Sequence, residues 1–287
     1  MISDHRASAR VEALYRYPVK SMLGEEIDAT TVGERGLLGD RAYALVDQET
    51  GKVVSAKNPR RWRVLFDCRA VYLDEPASGS DPAVVRITLP DGVTVDSDDP
   101  DVHATLSLAV GRAVRLVTTA PEGAVMEVLS PIVEGIPEAR QETLADSGIA
   151  IVAPGTFFDA APLHVVTTAT LAQLAGLAPR STFTASRFRP NVVVAVEGES
   201  GFVENRWVGH TLTLGAEVSA SVFLSAPRCV MTTLAQADLP RDPVVLQTIA
   251  RHNRFDIPGL GPSSCVGVYA LVTAGGTARR GDNVEIT

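Results

Sequence analysis

The chain of 287 residues has a formal net charge of −8, and 45% of its residues are hydrophobic. That length can bury one large core or two ordinary ones. The acidic balance argues against a nucleic-acid partner, because a general grip on nucleic acid needs a basic face. The three cysteines are far apart and form no CxxC pair, so neither a disulfide scaffold nor a zinc site is indicated.

The sequence shows no membrane or export signal. No run of about 18 apolar residues is present that could span a bilayer. Residues 1–10 are polar and lack the apolar region of a secretory signal. Together with free thiols, these features predict a cytoplasmic protein with no membrane partner.

The first 120 residues are predicted to form mostly strands. Segments 11–15, 43–47 and 63–73 are rich in Val, Leu and aromatic residues. Segments 84–89 and 93–96 flank a Pro-Asp-Gly turn and predict a hairpin. A helix is expected from Pro100 to about residue 110, with Asp99 as its N-cap and Gly111 after its end, and a strand is expected over 114–118. Short strands separated by turns favour a barrel or a sandwich.

A domain boundary is expected at residues 120–145, where Pro, Gly and acidic residues mix. Two domains, 1–120 and 121–287, are therefore predicted. In the second, a continuous apolar run at 191–196 predicts a central strand. One helix is expected through residue 177 with Thr168 as its cap, and another over 244–252 behind Asp242. The other expected strands are 163–166, 211–214, 218–224, 266–272 and 284–286.

Cys229 is the candidate for chemistry among the cysteines. It follows Arg228 at the end of an apolar strand, and a neighbouring arginine favours the thiolate, which is both nucleophile and metal ligand. A buried structural cysteine remains the alternative for Cys229. The structural interpretation is preferred for Cys68 and Cys265, whose neighbours are apolar.

Cations and amides are predicted at three strand ends. Lys20 and Ser21 close one segment, Arg41 precedes a strand, and Arg189 leads with Asn191 into the central strand. A solvated surface ion is the alternative for any single arginine. Their joint occurrence suits an anion that has phosphate and pterin-like hydrogen-bonding edges.

Familiar catalytic motifs are missing from the sequence. It contains no Gly-x-Gly-x-x-Gly, no Walker loop, no His-Glu-x-x-His and no Gly-x-Ser-x-Gly. The five histidines are scattered, and His164 is expected to be a structural or supporting group rather than a base.

Several segments resemble one family in the right order. Residues 17–21 (YPVKS) and 35–41 (RGLLGDR) resemble the N-terminal β-barrel domain that precedes MOSC domains. Residues 187–191 (RFRPN) and 228–233 (RCVMTT) resemble the two signatures of the MOSC domain itself. The closing GDNV at 281–284 is similar to the family's C-terminal strand, so the resemblance covers nearly the whole chain.

The resemblance implies a mostly β (α+β) fold. An N-terminal β-barrel domain over 1–120 would precede a β-barrel-like MOSC domain with a few short helices over 121–287. The family includes the mitochondrial amidoxime-reducing component and the C-terminal domain of molybdenum-cofactor sulfurases. No segment resembles the aminotransferase-like domain of the full sulfurases, so pyridoxal phosphate is not expected.

The resemblance also implies the site. Cys229 would coordinate the molybdenum of a molybdenum cofactor (Mo-molybdopterin), which would lie between the two domains, a usual place for a site. Lys20, Ser21 and Arg41 would bind the pterin phosphate. The rest of the cofactor would be held by Thr167, Thr168, Arg189, Asn191, Arg228 and Tyr269.

Two departures from the family pattern bear on the substrate. The family often continues its cysteine motif as Thr-Thr-Val-Asp-Pro-Asp, whereas residues 233–238 read TLAQAD. Pro227 stands where reductase members often carry Ser.

Three functions are weighed. The leading hypothesis is a molybdenum-dependent oxidoreductase that removes oxygen from an N-hydroxylated small-molecule substrate, with electrons from a separate donor protein. The alternative is a sulfur-transfer or cofactor-carrier protein that uses a Cys229 persulfide, and a third possibility is a metal-free binding module. Stoichiometric molybdenum favours the enzyme, sulfane sulfur without metal favours the carrier, and function retained in Cys229→Ala favours the binding module.

Overall fold

The computed structural model describes residues 8–79, 82–133, 136, 139–149 and 156–287. Strands dominate this part of the chain and short helices lie among them, which confirms the predicted mostly β (α+β) class. None of the helices described is long and apolar enough to cross a membrane.

The strands are numbered here in chain order. Those of the first 120 residues are β1 (Ala9–Arg16), β2 (Glu25–Ile27), β3 (Ala29–Gly33), β4 (Gly36–Leu37), β5 (Ala44–Asp47), β6 (Arg69–Tyr72), β7 (Val85–Thr88), β8 (Thr94–Asp96) and β9 (Val114–Val117). The later ones are β10 (Val125–Ser130), β11 (Thr143–Gly148), β12 (Leu163–Thr167), β13 (Val192–Val196), β14 (Thr211–Leu214), β15 (Val218–Pro227), β16 (Arg254–Ile257), β17 (Gly261–Ala274), β18 (Gly276–Arg279) and β19 (Val284–Ile286).

The helices are short. The α-helices are α1 (Pro59–Trp62), α2 (Val102–Val110), α3 (Thr168–Leu177), α4 (Ala185–Phe188) and α5 (Pro243–His252). Single 3₁₀ turns occur at Arg63–Asp67, Val203–Trp207 and Val230–Thr233.

The main sheet has nine strands. Eight follow the order β19-β14-β15-β17-β12-β13-β1-β2, and β16 pairs with β17. Strands β12 and β13 run parallel, whereas the other neighbours pair antiparallel. The first three residues of β13 are buried, as expected of a strand inside a sheet.

Strands from the beginning of the chain join those of the second half. Strands β1 and β2 complete the main sheet, and β3 pairs with β18. The main core accordingly combines Val11 and Leu14 of β1 with Val194 of β13. A second core lies wholly within residues 19–116 and is formed by strands from the first part of the chain together with α2.

Two predicted elements differ from the structure. Segment 63–73 is not one strand, because the backbone remains helical after α1, with φ −56° and ψ −34° at Arg63. Arg63–Asp67 is a 3₁₀ turn instead, and β6 follows it. Within the expected boundary region, β10 and β11 pair as a hairpin; the side chains of β11 are mostly exposed, so it shows no apolar alternation.

The ends of the helices differ in part from those expected. Helix α2 begins at Val102 rather than Pro100, so Asp101 and not the predicted Asp99 is at its N-cap, without a side-chain cap hydrogen bond, and Gly111 ends it with a left-handed backbone. Helix α3 is capped by Thr167, one residue before the expected Thr168. Helix α5 begins behind Asp242, as expected, and Asp242 caps it by accepting the amide of Val244.

Gly36 allows β4 to approach the start of β12, and we predict that Gly36→Ala lowers the melting temperature. An added Cβ would lie 2.3 Å from the carbonyl oxygen of Pro162, and φ is +76°. Overpacking of this kind typically costs about 1–3 kcal/mol. A left-handed backbone adds about 1–2 kcal/mol for a side chain with a Cβ.

Gly51 is the matched control for this variant. It has a φ of +70°, yet no atom lies within 4 Å of its added Cβ. Gly51→Ala should therefore be destabilised only by the left-handed backbone, without the cost of overpacking. Equal falls in melting temperature for the two variants would contradict the close approach of Gly36 to Pro162.

Candidate active site

The site lies at one edge of the main sheet, where several strand ends meet. The amide of Tyr15 donates to the carbonyl of Asn191 at 2.8 Å, and the amide of Asn191 donates to the carbonyl of His164 at 2.8 Å. Across the sheet, His164 is opposite Tyr269 of β17. Strand β15 ends with Pro227, which is opposite Cys265 of β17. The side chain of Arg228 reaches back from there to the Tyr269 hydroxyl and to the carbonyl of Phe188, in the segment before β13.

A buried lysine from the first half is tied to the second half. Lys20 is 4% exposed, and its Nζ donates to the carbonyl of Phe157 at 2.8 Å and pairs with Asp159. Burial lowers the pKa of Lys20 more than the attraction of Asp159 raises it. The second oxygen of Asp159 pairs with Lys57 Nζ at 3.1 Å. Burial alone would raise the pKa of Asp159, but its two lysine partners hold it well below the usual range.

Lys57 connects this ion-pair network to Cys229. Burial lowers the pKa of Lys57, but the nearby charges of Asp159, Cys229 and Tyr269 outweigh that effect and raise it. Lys57 therefore remains a cation, paired with Asp159 and within electrostatic range of the thiol.

Two arginines stack on one tyrosine. The guanidinium carbons of Arg41 and Arg189 lie 4.4 Å and 4.2 Å from the centre of the Tyr17 ring. A desolvated contact of this kind is worth about 2 kcal/mol. Asp40 pairs with Arg41 and accepts hydrogen bonds from the Tyr17 amide at 2.8 Å and from Asn191 Nδ2 at 2.9 Å.

Arg189 has spare donor capacity in a buried place. Its Nη1 is buried and has no hydrogen-bond partner among the residues that the structure describes. Burial and the neighbouring Arg41 lower the pKa of Arg189 to about 10. An unpaired guanidinium nitrogen is costly to bury, so its position suits an anionic partner.

Backbone strain is concentrated around the same edge. Among the described residues, those other than glycine with positive φ are Ser21, Arg41, Arg189 and Ala237. The first three are residues that the sequence analysis assigned to the site, and Ala237 lies in the loop after Cys229. Such strained conformations cluster at functional sites because the surrounding contacts must enforce them.

Cys229 is half-buried and free, and it precedes the 3₁₀ turn Val230–Thr233. Its neighbour Arg228 donates from Nη2 to the Tyr269 hydroxyl at 2.7 Å and from Nη1 to the carbonyl of Phe188 at 3.2 Å. Arg228 and Tyr269, which were predicted separately, are therefore direct partners.

The five cationic residues that meet at this edge are called the cation cluster below. Among the residues that the structure describes, two carboxylates pair with them directly, Asp40 and Asp159. His164 adds no charge, because burial and the nearby Arg228 lower its pKa well below the usual value. The cation cluster consists of Lys20, Arg41, Lys57, Arg189 and Arg228.

Thr167 and Thr168 do not lie in this cluster. Thr167 is at the other end of β12, about 10 Å along the strand from His164. Its hydroxyl donates to Glu204 at 2.6 Å and accepts the amide of Thr170, so it caps α3, of which Thr168 is the first residue. The Thr167 hydroxyl thus serves the start of this helix. The expected cofactor contacts of the two threonines stay a prediction.

Ser21 is at the expected edge, but its hydroxyl is already engaged. Its Oγ accepts the amide of Ala56 at 3.1 Å. Ser21 therefore fixes the segment that leads to Lys57.

The sequence analysis missed three charged residues of the site, Asp40, Lys57 and Asp159. Lys57 carried one usable signal, because the chain has only three lysines and Lys20 is another. Asp159 carried none, since its importance arises from the two lysines that the fold brings to it.

Comparison with known families places the chain. The model of the MOSC N-terminal beta barrel domain matches residues 8–109, and the model of the MOSC domain matches residues 153–285. The chain is a MOSC-domain protein. The family resemblance of its sequence motifs is thereby confirmed.

Several known proteins are similar to this MOSC-domain protein. It is 27% identical over 297 residues to mitochondrial amidoxime reducing component 2 of Rattus norvegicus, covering 96% of the chain and 82% of the relative. It is similar to the YUAD protein from Bacillus subtilis with a TM-score of 0.45 and 11% identity, covering 97% of this chain and 95% of that one. For YiiM from Geobacillus stearothermophilus, the TM-score is 0.33 at 14% identity, covering 55% and 72%.

The three thiols of the MOSC-domain protein should differ in reactivity. Cys68 and Cys265 are fully buried, and burial raises the pKa of each to about 11. We predict that iodoacetamide at mildly alkaline pH alkylates Cys229 of the native, cofactor-free protein and leaves the other two intact, because the thiolate is the reactive form. Peptide mass spectrometry reports the three sites, with denatured protein as the control for full reaction. Native alkylation of Cys68 or Cys265 as fast as Cys229 would contradict this assignment.

Proposed function

We propose that this MOSC-domain protein binds the molybdenum cofactor at the cation cluster and reduces N-hydroxylated compounds. One observation carries the proposal: five buried or half-buried cations are only partly offset by Asp40 and Asp159, and one of them, Arg228, is next to a half-buried thiol in the sequence. The unpaired Nη1 of Arg189 fits an additional anion at the same place. The match to the MOSC domain and the name of the rat relative, an amidoxime reducing component, support the choice of cofactor and reaction.

The residues present fit the cofactor in charge and in ligand type. Lys20, Arg41 and Arg189 would offset the charge of its phosphate and pterin, with bidentate donors from the arginines. Asn191 is held by Asp40 at the same edge. Cys229 would provide a soft thiolate to the metal. Thr167 and Thr168 have no part in this proposal.

The reaction is a two-electron reduction. The N–O bond of the substrate breaks, two electrons and two protons are consumed, and water leaves. When bound, the cofactor supplies the redox chemistry, and the protein supplies position and electrostatics. The electrons come from a separate donor protein.

The chain's own residues hold charge around the thiol. Asp159 keeps Lys57 in place and charged beside Cys229, where it can donate a hydrogen bond to an oxygen of a bound substrate. Tyr269 receives the Arg228 guanidinium and so limits the movement of the residue next to Cys229. His164 remains neutral and links β12 to the carbonyl of Val266 at 3.1 Å.

Alanine substitution of each cysteine tests the metal ligand. We expect Cys229→Ala to contain no molybdenum and to lose amidoxime reduction, because no other described thiol is accessible at this edge. Cys68→Ala and Cys265→Ala should retain both. Metal content is measured by elemental analysis, and activity with reduced methyl viologen as the electron source.

The outcomes separate the alternatives. Equal loss in all three variants, with lower melting temperatures, would show folding damage and leave Cys229 without special status. Sulfane sulfur on Cys229 in metal-free protein would favour the sulfur-transfer alternative. Undiminished reduction by Cys229→Ala would reject the proposed ligand.

Arg189→Ala tests the anion site. A hydrogen bond to a charged group is worth roughly 1.5–3 kcal/mol, so cofactor affinity should fall about ten- to a hundredfold. The melting temperature of the cofactor-free protein should change little, because the lost contact with Tyr17 is offset by removal of an unpaired buried donor and of repulsion from Arg41. Arg189→Lys should restore only part of the occupancy, since lysine lacks two parallel donors.

Arg60 provides the control, because it is an exposed arginine paired with Glu142. Arg60→Ala should leave cofactor content unchanged. Occupancy is read from the pterin released per chain, beside a melting curve of the cofactor-free form. Full occupancy in Arg189→Ala would place the cofactor elsewhere.

A further inference from the structure

Arg187 is a buried arginine whose donors all reach backbone carbonyls. The residue is 1% exposed. Its Nε donates to Thr182 at 3.0 Å, its Nη1 to Thr232 at 3.1 Å and Leu234 at 3.2 Å, and its Nη2 to Pro240 at 3.2 Å. Three of these four carbonyls belong to residues 230–240, the segment that follows Cys229.

The charge of Arg187 is not neutralised by an ion pair. Within the described part of the chain, no carboxylate lies within 4 Å of its guanidinium; burial lowers its pKa, and the attraction of Asp242 offsets this only in part. Charge-assisted hydrogen bonds to carbonyls stabilise it instead. The planar, multi-donor fork of arginine is the side chain that can serve this many acceptors at once.

The turn that carries Arg187 also contacts the other flank of Cys229. The carbonyl of Phe188 accepts Arg228 Nη1 at 3.2 Å. On the far side, Gln236 Nε2 donates to the carbonyls of Met231 at 3.0 Å and Arg187 at 3.5 Å. Cys229 is therefore held on both sides by residues 187–188.

The next residue connects this turn to the cation cluster. Arg189 has a left-handed backbone, with a φ of +56°, and its side chain stacks on Tyr17. Successive residues of one short turn thus fix the Cys229 segment and supply a cation to the cation cluster. The distance between these two parts of the site depends on this turn.

We propose that Arg187 is a positioning residue, which sets the Cys229 thiol against the cation cluster by fixing residues 230–240. This inference rests on the proposed function, because it assumes that Cys229 acts together with the cation cluster. The mobility of residues 230–240 can nevertheless be measured without the cofactor. A merely structural role would predict a general loss of stability with no preferential release of this segment.

Two variants of Arg187 and one control test the proposal. Arg187→Lys keeps the charge but cannot reach all four carbonyls, and Arg187→Met removes the charge while retaining an unbranched apolar stem. Leu212→Ala is the control for lost stability, because Leu212 is buried in β14, which pairs with the end of β15 away from Cys229. Gln236→Ala is a milder variant of the same segment, for use if Arg187→Met does not fold.

The main readout is the alkylation rate of Cys229 in cofactor-free protein. It should rise on the order of tenfold in Arg187→Met, because a group protected by local structure reacts in proportion to its open population. The rate should rise less in Arg187→Lys and Gln236→Ala. Tryptic cleavage after Arg241 should increase in parallel. Leu212→Ala should keep the wild-type rates even at a comparable loss of melting temperature.

Molybdenum retention is the second readout. It should fall in Arg187→Met, recover in part in Arg187→Lys, and remain at the wild-type level in Leu212→Ala. Alkylation and cleavage rates in the Arg187 variants that match those of Leu212→Ala would overturn the positioning role. Failure of the proposed function would instead appear as wild-type protein without molybdenum, while the alkylation measurement still reports on Arg187.

Discussion

Buried positive charge at one edge of the main sheet is the constraint around which this molecule is organised. Lys20 and Arg189 are buried and Arg41 is half-buried, yet the carboxylates present balance only part of their charge. Such an arrangement persists only where the fold enforces it. Several features hold the cations close together. Arg41 and Arg189 have a strained backbone and both stack on the Tyr17 ring, and Asp40 pairs with Arg41. An anionic ligand is the natural complement of this arrangement.

Local patterns were enough to predict most of the fold, because the signals involved are short-range. The apolar run before residue 196 indicated an inner strand, and Asp242 followed by Pro243 indicated the start of a helix. The strand predicted over 63–73 was wrong at its start, because the helical backbone of α1 continues into the turn Arg63–Asp67 and the apolar residues there do not reveal it. Strand β11 was missed for the opposite reason, since exposed side chains on both faces leave no periodic signal.

The site was predictable where its residues belong to recognisable segments, and unpredictable where only the fold brings charges together. Lys20, Arg41, Arg189 and Arg228 lie in motifs that resemble the family, and the structure collects them at one edge. Lys57 and Asp159 are about 100 residues apart in sequence and matter because they meet. Thr167 was assigned to the site by resemblance alone. Its hydroxyl accepts the amide of Thr170 and caps a helix, a role that the resemblance does not reveal.

The pairing of β3 with β18 joins residues 29–33 to residues 276–279. Together with β1 in the main sheet, it makes the two family-defined domains interdependent: a fragment lacking the first strands would leave an edge of β13 open to pairing with other chains. During synthesis, β3 is made long before β18 and cannot form this pair until β18 has been made. The cation cluster likewise needs Arg228, so a chain that ends before this residue does not present the whole cluster.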